Sequence, residues 1–454
     1  MSDNPWIDRY SVKLLDVDID RVVAVRGSTI TKLGRDTPDA DANSLHNAIS
    51  DIYVPTVQAR QILRRLHDAA KSRAQQAYPS ERQYLSRVYQ GGWWQPDLPV
   101  ICITGLAGVG KTQLLLALSR LLGASSVISV AGLDGVPLTS MWSFTLRSGI
   151  GLSDLLVPFI EDADIESSTP IDRRFKGKPR MGNPKILYAS RARSYRDGVC
   201  LMSLDEFQFI TQSANANARA TQLLLNISSV GPRLIYSANF SMIHRLKRRN
   251  HEDRQRLLAE PIVLFPDQPE TEDWNLYLRE VFTVAPDTFG LTAESSGEQI
   301  YRYTFGIRRS VASLLAHAYR VARQAGRTKL GTADLEKAYR SSDFSATRED
   351  VETLISQQVS GKKIREDLWC PFDAPQSSNV TTLAPAVENF EKEIESKMLR
   401  SSLTPSERAA VKQVEGVSAT KRPAGNVVRI SPGRATKEDL LKGAKFISEN
   451  RKKP

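Results

Sequence analysis

Five short apolar runs punctuate the middle of the chain: Val100 to Thr104, Ser126 to Val130, Val199 to Leu204, Leu234 to Ser237 and Ile262 to Phe265. Each has strand length, and helix-like stretches separate them, the alternation expected of a parallel sheet lying between helices. Pro266 to Pro269 breaks the pattern, after which helical periodicity at Glu272 to Phe282, Arg308 to Gln324 and Thr332 to Tyr339 predicts a helical lid. Upstream, Ser11 to Thr31 alternates apolar and β-branched residues, which predicts one or two strands, and Thr56 to Ala77 reads as a charged amphipathic helix. The punctuation GGWWQPDLP then separates an N-terminal module from the core, with Trp93 and Trp94 expected to pack against that core. Clear periodicity ends after Phe344. From Pro371 the composition predicts a flexible tail with short helices around Val387 to Met398 and Lys437 to Ile447. The expected class is therefore α/β, divided into an N-terminal partner-binding module (1–95), a core (96–268), a helical lid (269–345) and a tail (346–454).

The first core run leads directly into chemistry. Gly105, Leu106, Ala107, Gly108, Val109, Gly110, Lys111 and Thr112 form G-x-x-x-x-G-K-T between a strand and a Leu-rich helix. Glycines let the backbone wrap phosphate oxygens, and amides at the helix start point at the anion. Lys111 is placed to reach the terminal phosphates, and the Thr112 hydroxyl to ligate Mg²⁺. The expected ligand is a nucleoside triphosphate, with ATP and Mg²⁺ as cofactors.

Such a loop needs an acidic partner, and GVCLMSLDEFQFI ends an apolar run in Asp205 and Glu206. Asp205 is placed to orient the metal and Glu206 to polarise an attacking water, although the same pair is also the start of an ordinary acidic helix cap. The run RLIYS leads to Ala238 and Asn239, where an Asn can touch the γ phosphate or simply cap the next helix. Gly306 precedes a helix beginning with Arg308 and Arg309, from which an arginine can reach the nucleotide or remain at the surface.

Taken in order, these pieces resemble the AAA+ ATPases over roughly Leu98 to Phe344, an α/β P-loop core with a parallel sheet between helices and a helical lid. Within that superfamily DEFQFI (205–210), YSANFSMIHRLKRR (236–249) and DRQRLLAEPIVLFP (253–266) resemble the TnsC/TniB regulators of Tn-seven-like DNA transposons. The resemblance implies an ATP-dependent switch that assembles as a ring or filament on double-stranded DNA. There it links a target-selection protein of the TniQ/TnsD type to transposase subunits. It further implies Walker roles for Gly105 through Thr112, Asp205 and Glu206, a sensor role for Asn239 and a lid-arginine role for Arg309. An arginine finger should lie near the end of the helix after Asn239, where Arg248, Arg249, Arg254 and Arg256 all qualify. Arg254 and Arg256 are preferred because they stand nearest the next strand. By the same resemblance, the tail is a candidate for recruiting transposase; composition alone equally allows a solubilising extension.

Charge changes the picture next. A formal net charge of +11 and a pI near 9.5 point to an anionic polymer, and duplex DNA is the leading candidate because neutralised phosphates release counterions. The densest basic stretch, Asp172 to Arg196, offers Arg173, Arg174, Lys176, Lys178 and Arg180 as phosphate contacts, with Lys185, Arg191 and Arg193 extending them along a helix. A solvated face or a subunit contact is the alternative. Three cysteines without zinc-ligand spacing exclude a disulfide or zinc scaffold, and His244 and His251 read as surface residues of one helix. No apolar leader or membrane-length run is found, so a cytoplasmic, DNA-associated bacterial protein is expected. No guanine-reading N-K-x-D segment follows Glu206, which disfavours a GTPase. A helicase loader or another DNA-remodelling ATPase, or a nucleotide-dependent structural assembly, remains the competing class.

Overall fold

The structure, a computed structural model, describes residues 4–11, 14–31, 33–90, 98–130, 132–146, 151–161, 182–206 and 214–372. Among the described residues seven strands form: β1 (Ile101–Gly105), β2 (Ser126–Val130), β3 (Leu133–Leu138), β4 (Met141–Thr145), β5 (Leu201–Asp205), β6 (Arg233–Asn239) and β7 (Glu260–Leu264). Five of them make one sheet in the order β4-β5-β6-β1-β7, every pair parallel. The period-2 rule explains why β1 and β5, covered on both faces, are buried at every position. Ile101 and Ile103 enter the core on one face while Val100 and Cys102 enter the core on the other, and Leu201 is likewise opposed to Met202 and Leu204. Helices Val57–Ala77 and Lys111–Leu122 cover the first face. Helices Leu152–Glu161, Ala214–Ser228 and Phe240–Lys247 contribute to the second.

Register then aligns the strand ends. Gly105 sits opposite both Asn239 and Leu264, and Leu204 opposite Tyr236, so Asp205 falls level with Ser237. The carboxyl ends of β1, β5 and β6 open on one edge of the sheet, the side on which open α/β sheets bind ligands.

Three sequence expectations are corrected. Ser126–Val130 is a strand, but it pairs antiparallel with β3 in a separate two-stranded sheet. Its Val127 is 67% exposed, whereas a parallel strand between helix layers is buried on both faces. The place in the large sheet goes to β4, whose Trp142 and Phe144 face the core in the alternation of an edge strand. Among the described residues of Ser11 to Thr31, no strand forms beyond a single bridge from Val25 to Tyr53. Asp16–Val23 is a helix, opened by Asp16 and Asp18 and buried through Ile19 and Val23, a spacing of four. Beyond Phe344 the chain continues as helix Ser345–Ser360, which buries only Val351, Leu354 and Gln357, too few positions to make an amphipathic pattern.

The expected helix at Thr56 to Ala77 forms over Val57–Ala77, where the Thr56 hydroxyl accepts from the Ala59 amide at 3.1 Å. The region expected to form a lid is helical, with Glu272–Thr283, Ala293–Thr304, Arg308–Gln324 and Thr332–Arg340, the second of which lacked a clear sequence signal. Helix Pro38–Ser50 packs along Arg308–Gln324, fastened where Arg323 donates to the Gly34 carbonyl at 3.0 Å and lies 3.4 Å from Asp41. Among the described residues no helix is long and apolar enough to cross a membrane. Trp93, Trp94, Phe207 to Ile210 and the expected tail helices lie outside the described residues.

Candidate nucleotide-binding site

The loop after β1 turns because two of its glycines adopt left-handed backbone, Gly108 at φ +80° and Gly110 at φ +110°. Gly110 caps helix Lys111–Leu122 with no side chain of its own, and no acidic residue occupies the helix's first turn. The amides there therefore face an open, electropositive end. Leu106 and Val109 anchor the loop in the core, while Ala107 and Thr112 are exposed.

Lys111 is buried, and its ammonium donates to the Gly105 carbonyl at 3.0 Å, the Leu106 carbonyl at 2.8 Å and the Asn239 Oδ1 at 2.7 Å. All three acceptors are neutral. Burial pushes its pKa down to about 8, opposed by the charges of Asp205 and Glu206 and reinforced by Arg309. A buried cation without a carboxylate bonded to it gains from any anion that can replace those three oxygens.

Asn239 is the residue before helix Phe240–Lys247, yet its side chain makes no cap hydrogen bond. It holds Lys111 instead. On the neighbouring strand, Asp205 is buried and Glu206 half-buried. Asp205 Oδ1 accepts from the Glu206 amide at 2.9 Å and from the Ser237 hydroxyl, leaving Oδ2 without a partner among the described residues. Glu206 has φ +59°, a left-handed conformation that costs a non-glycine residue on the order of 1 kcal/mol or more. An exposed hydroxyl at Thr112 and a carboxylate oxygen of Asp205 that bonds none of the described residues suit a hard, oxygen-seeking cation such as Mg²⁺.

The two lid arginines part company. Arg309 donates its amide to the Gly108 carbonyl at 3.3 Å, and its guanidinium is exposed beside the loop. A Cβ on Gly108 would lie 2.7 Å from the Arg309 Cβ, so loop and lid touch through a glycine. Arg308 points inward, paired with the buried Asp267 at 3.0 Å and stacked 4.8 Å from the Tyr277 ring centroid. Asp267 raises its pKa against the effect of burial. Arg308 and Asp267 also help to line a shallow cleft beside the phosphate loop, with Tyr53, Val54, Val109 and Phe265. Neither the Arg308–Asp267 pair nor the Tyr53 wall was expected from sequence, since Tyr53 is remote along the chain. Ser237 was missed too, although its position two residues before Asn239 on β6 puts both on one face.

Of the candidate finger residues, Arg248 pairs with Glu366 and Arg249 with Asp253. Arg254 and Arg256 are exposed on helix His251–Leu257, and no ion pair joins either guanidinium to another described residue. Arg173, Arg174, Lys176, Lys178 and Arg180 lie outside the described residues. The proposed extension along helix Asn183–Arg196 is corrected in part. Lys185 is exposed, but Arg191 donates to the Ser229 carbonyl and hydroxyl, both at 2.9 Å, and Arg193 pairs with Asp197 at 2.6 Å. His251 is exposed as expected. His244 belongs to a different helix and is covered by the segment after Ser360, its Nε2 lying 2.9 Å from the Trp369 carbonyl oxygen.

No known protein-family profile matches the chain, and no curated protein sequence matches it. Several solved structures follow part of its course. The ORC1 protein of Aeropyrum pernix, solved in complex with DNA, is 13% identical with a TM-score of 0.34, covering 62% of this chain and 66% of that one. The ORC2 protein of the same organism, in ADPNP–ADP complexes, is 15% identical with a TM-score of 0.35, covering 63% and 72%. The RuvB Holliday junction branch migration motor of Thermotoga maritima is 11% identical with a TM-score of 0.28, covering 61% and 72%. The chain thus spans about two thirds of the length of the ORC1 chain it matches.

Proposed function

We propose that this chain is an ATPase whose nucleotide lies across the carboxyl ends of β1, β5 and β6. The observation that carries the reading is Lys111, a buried ammonium held, among the described residues, by three neutral oxygens at the head of a glycine loop. The terminal phosphates replace the Gly105 and Leu106 carbonyls as its acceptors, and the loop amides up to Thr112 bind the remaining oxygens. Mg²⁺, held by Thr112 and Asp205, would neutralise charge on the phosphates. Glu206 takes the proton of the attacking water, and Asn239, already bonded to Lys111, aligns the γ phosphate. Arg309 reaches the phosphates from the lid, while the base enters the cleft walled by Tyr53 and Val54. Arg254 or Arg256 supplies the finger to a neighbouring protomer, a role that suits their exposure.

The finer reading is a DNA-bound regulator of transposition that assembles as an oligomer on duplex DNA and joins a TniQ/TnsD-type target-selection protein to the transposase. It is supported by the sequence resemblance at 205–210, 236–249 and 253–266 and by the net charge of +11. Arg173, Arg174, Lys176, Lys178 and Arg180 are the proposed phosphate contacts. Imaging the purified chain with duplex DNA and a non-hydrolysable ATP analogue tests both levels. Nucleotide-dependent rings or filaments on DNA are expected, and a chain that stays monomeric with and without analogue contradicts assembly. Unwinding of a duplex by the chain would favour a helicase-type machine over a switch.

A further inference from the structure

Resting on the ATPase reading, we infer that Ser237 is a positioning residue for hydrolysis, fixing both carboxylates of the site through a single hydroxyl. Ser237 is 1% exposed in the middle of β6, where a hydroxyl that only filled space would cost stability. Its proton goes to Asp205 Oδ1, and its oxygen accepts from the Glu206 amide at 3.4 Å, while that amide also donates to Asp205 Oδ1 at 2.9 Å. Three groups from two strands thus close a small ring of hydrogen bonds.

The ring has two consequences. With Oδ1 occupied twice, Asp205 has one rotamer that keeps its bonds, and in that rotamer Oδ2 is the oxygen left for a cation. The same ring fixes the Glu206 amide, and with it the peptide plane from which this left-handed residue, at φ +59°, leaves the strand. Strain of this sort persists where surrounding bonds over-determine it. Asn239 follows two residues later on the same face of β6 and bonds Lys111. One strand face therefore orients the acidic half of the site through Ser237 and the basic half through Asn239. Serine fits this place because one small side chain must donate and accept at once, which alanine cannot do and cysteine does poorly.

The test uses the full chain with duplex DNA and Mg²⁺. Ser237→Ala should lower kcat about tenfold or more and raise the Mg²⁺ concentration for half-maximal rate, while affinity for a non-hydrolysable ATP analogue changes less than about threefold. Ser237→Thr, which retains a hydroxyl, should recover most of kcat. In a Glu206→Gln background the Ser237→Ala loss should shrink, because the hydroxyl acts through the carboxylates. Should the alanine variant fail to fold, Ser237→Cys gives the same reading at nearly the same volume. Turnover within twofold of wild type in Ser237→Ala overturns the inference, as does a parallel fall of kcat, affinity and melting temperature. No turnover by the wild-type chain would instead overturn the ATPase reading, a separate and recognisable result.

Discussion

Two cations stand at the same phosphate loop, one within it and one packed beside it, and the protein treats them oppositely. Lys111 at the loop is buried among neutral acceptors and has its pKa lowered to about 8. Arg308 beside the loop is half-buried against the Asp267 carboxylate, between the rings of Tyr53 and Tyr277, and has its pKa raised. Carbonyl and amide oxygens are weaker partners than a phosphate, so a triphosphate can displace those around Lys111. A buried carboxylate is not so displaced, because each charge left behind would be uncompensated. The first cation is arranged to change partners and the second to keep one. On the proposed reading, a group that binds ligand and a group that fastens the fold differ in the charge of what they touch.

The sharpest way to break that comparison is at Lys111. Lys111→Ala should reduce ATP affinity by more than about a hundredfold with the fold retained, read by fluorescent-nucleotide titration; retained binding would remove Lys111 from the site. Glu206→Gln should lower turnover by about a hundredfold or more while nucleotide binding persists, giving a long-lived ATP-bound state in phosphate-release and binding assays. At the lid, Arg308→Ala should destabilise the protein by about 3 kcal/mol by stranding Asp267, measured by denaturant unfolding. Arg309→Ala should leave stability unchanged and weaken nucleotide binding only several-fold. Equal stability losses at the two positions would erase the distinction drawn between them. Smaller again, Gly108→Ala strains a backbone at φ +80° and presses on Arg309, so it should loosen the lid contact and lower affinity by several-fold.

The same contrast explains what a reader of the sequence could and could not see. The phosphate loop, Asp205, Glu206 and Asn239 each stand at the end of an apolar run, and strand periodicity carries them to one edge of the sheet. Chain order was enough to place them. Arg308 and Arg309 are neighbours of identical chemistry, and only three-dimensional packing sends one to Asp267 and leaves the other beside Gly108. The cleft wall at Tyr53 is contributed from upstream of the motif by a segment whose link to the core is tertiary. Ser126–Val130 and Met141–Thr145 show the limit for strands: β-branched periodicity identifies an extended segment, while its partner is chosen by burial on both faces. Helix Ser345–Ser360 went unseen because few of its side chains are buried.

The central claim, that Lys111 exchanges neutral partners for phosphate, is tested most directly by calorimetric titration of the chain with Mg²⁺ and ATP at pH 7 and pH 9. With a folded-state pKa of about 8, lowered from 10.5, the free ammonium is mostly charged at the lower pH and mostly neutral at the higher. The free protein should gain stability as pH rises from about 8 to 10.5, since the unfolded chain binds the extra proton there. Nucleotide binding runs the other way, because the bound phosphates hold the proton on. The account predicts affinity about tenfold weaker at pH 9 than at pH 7, with proton uptake on binding at the higher pH. Absence of magnesium-dependent heat, or an affinity that does not change between the two conditions, would contradict it.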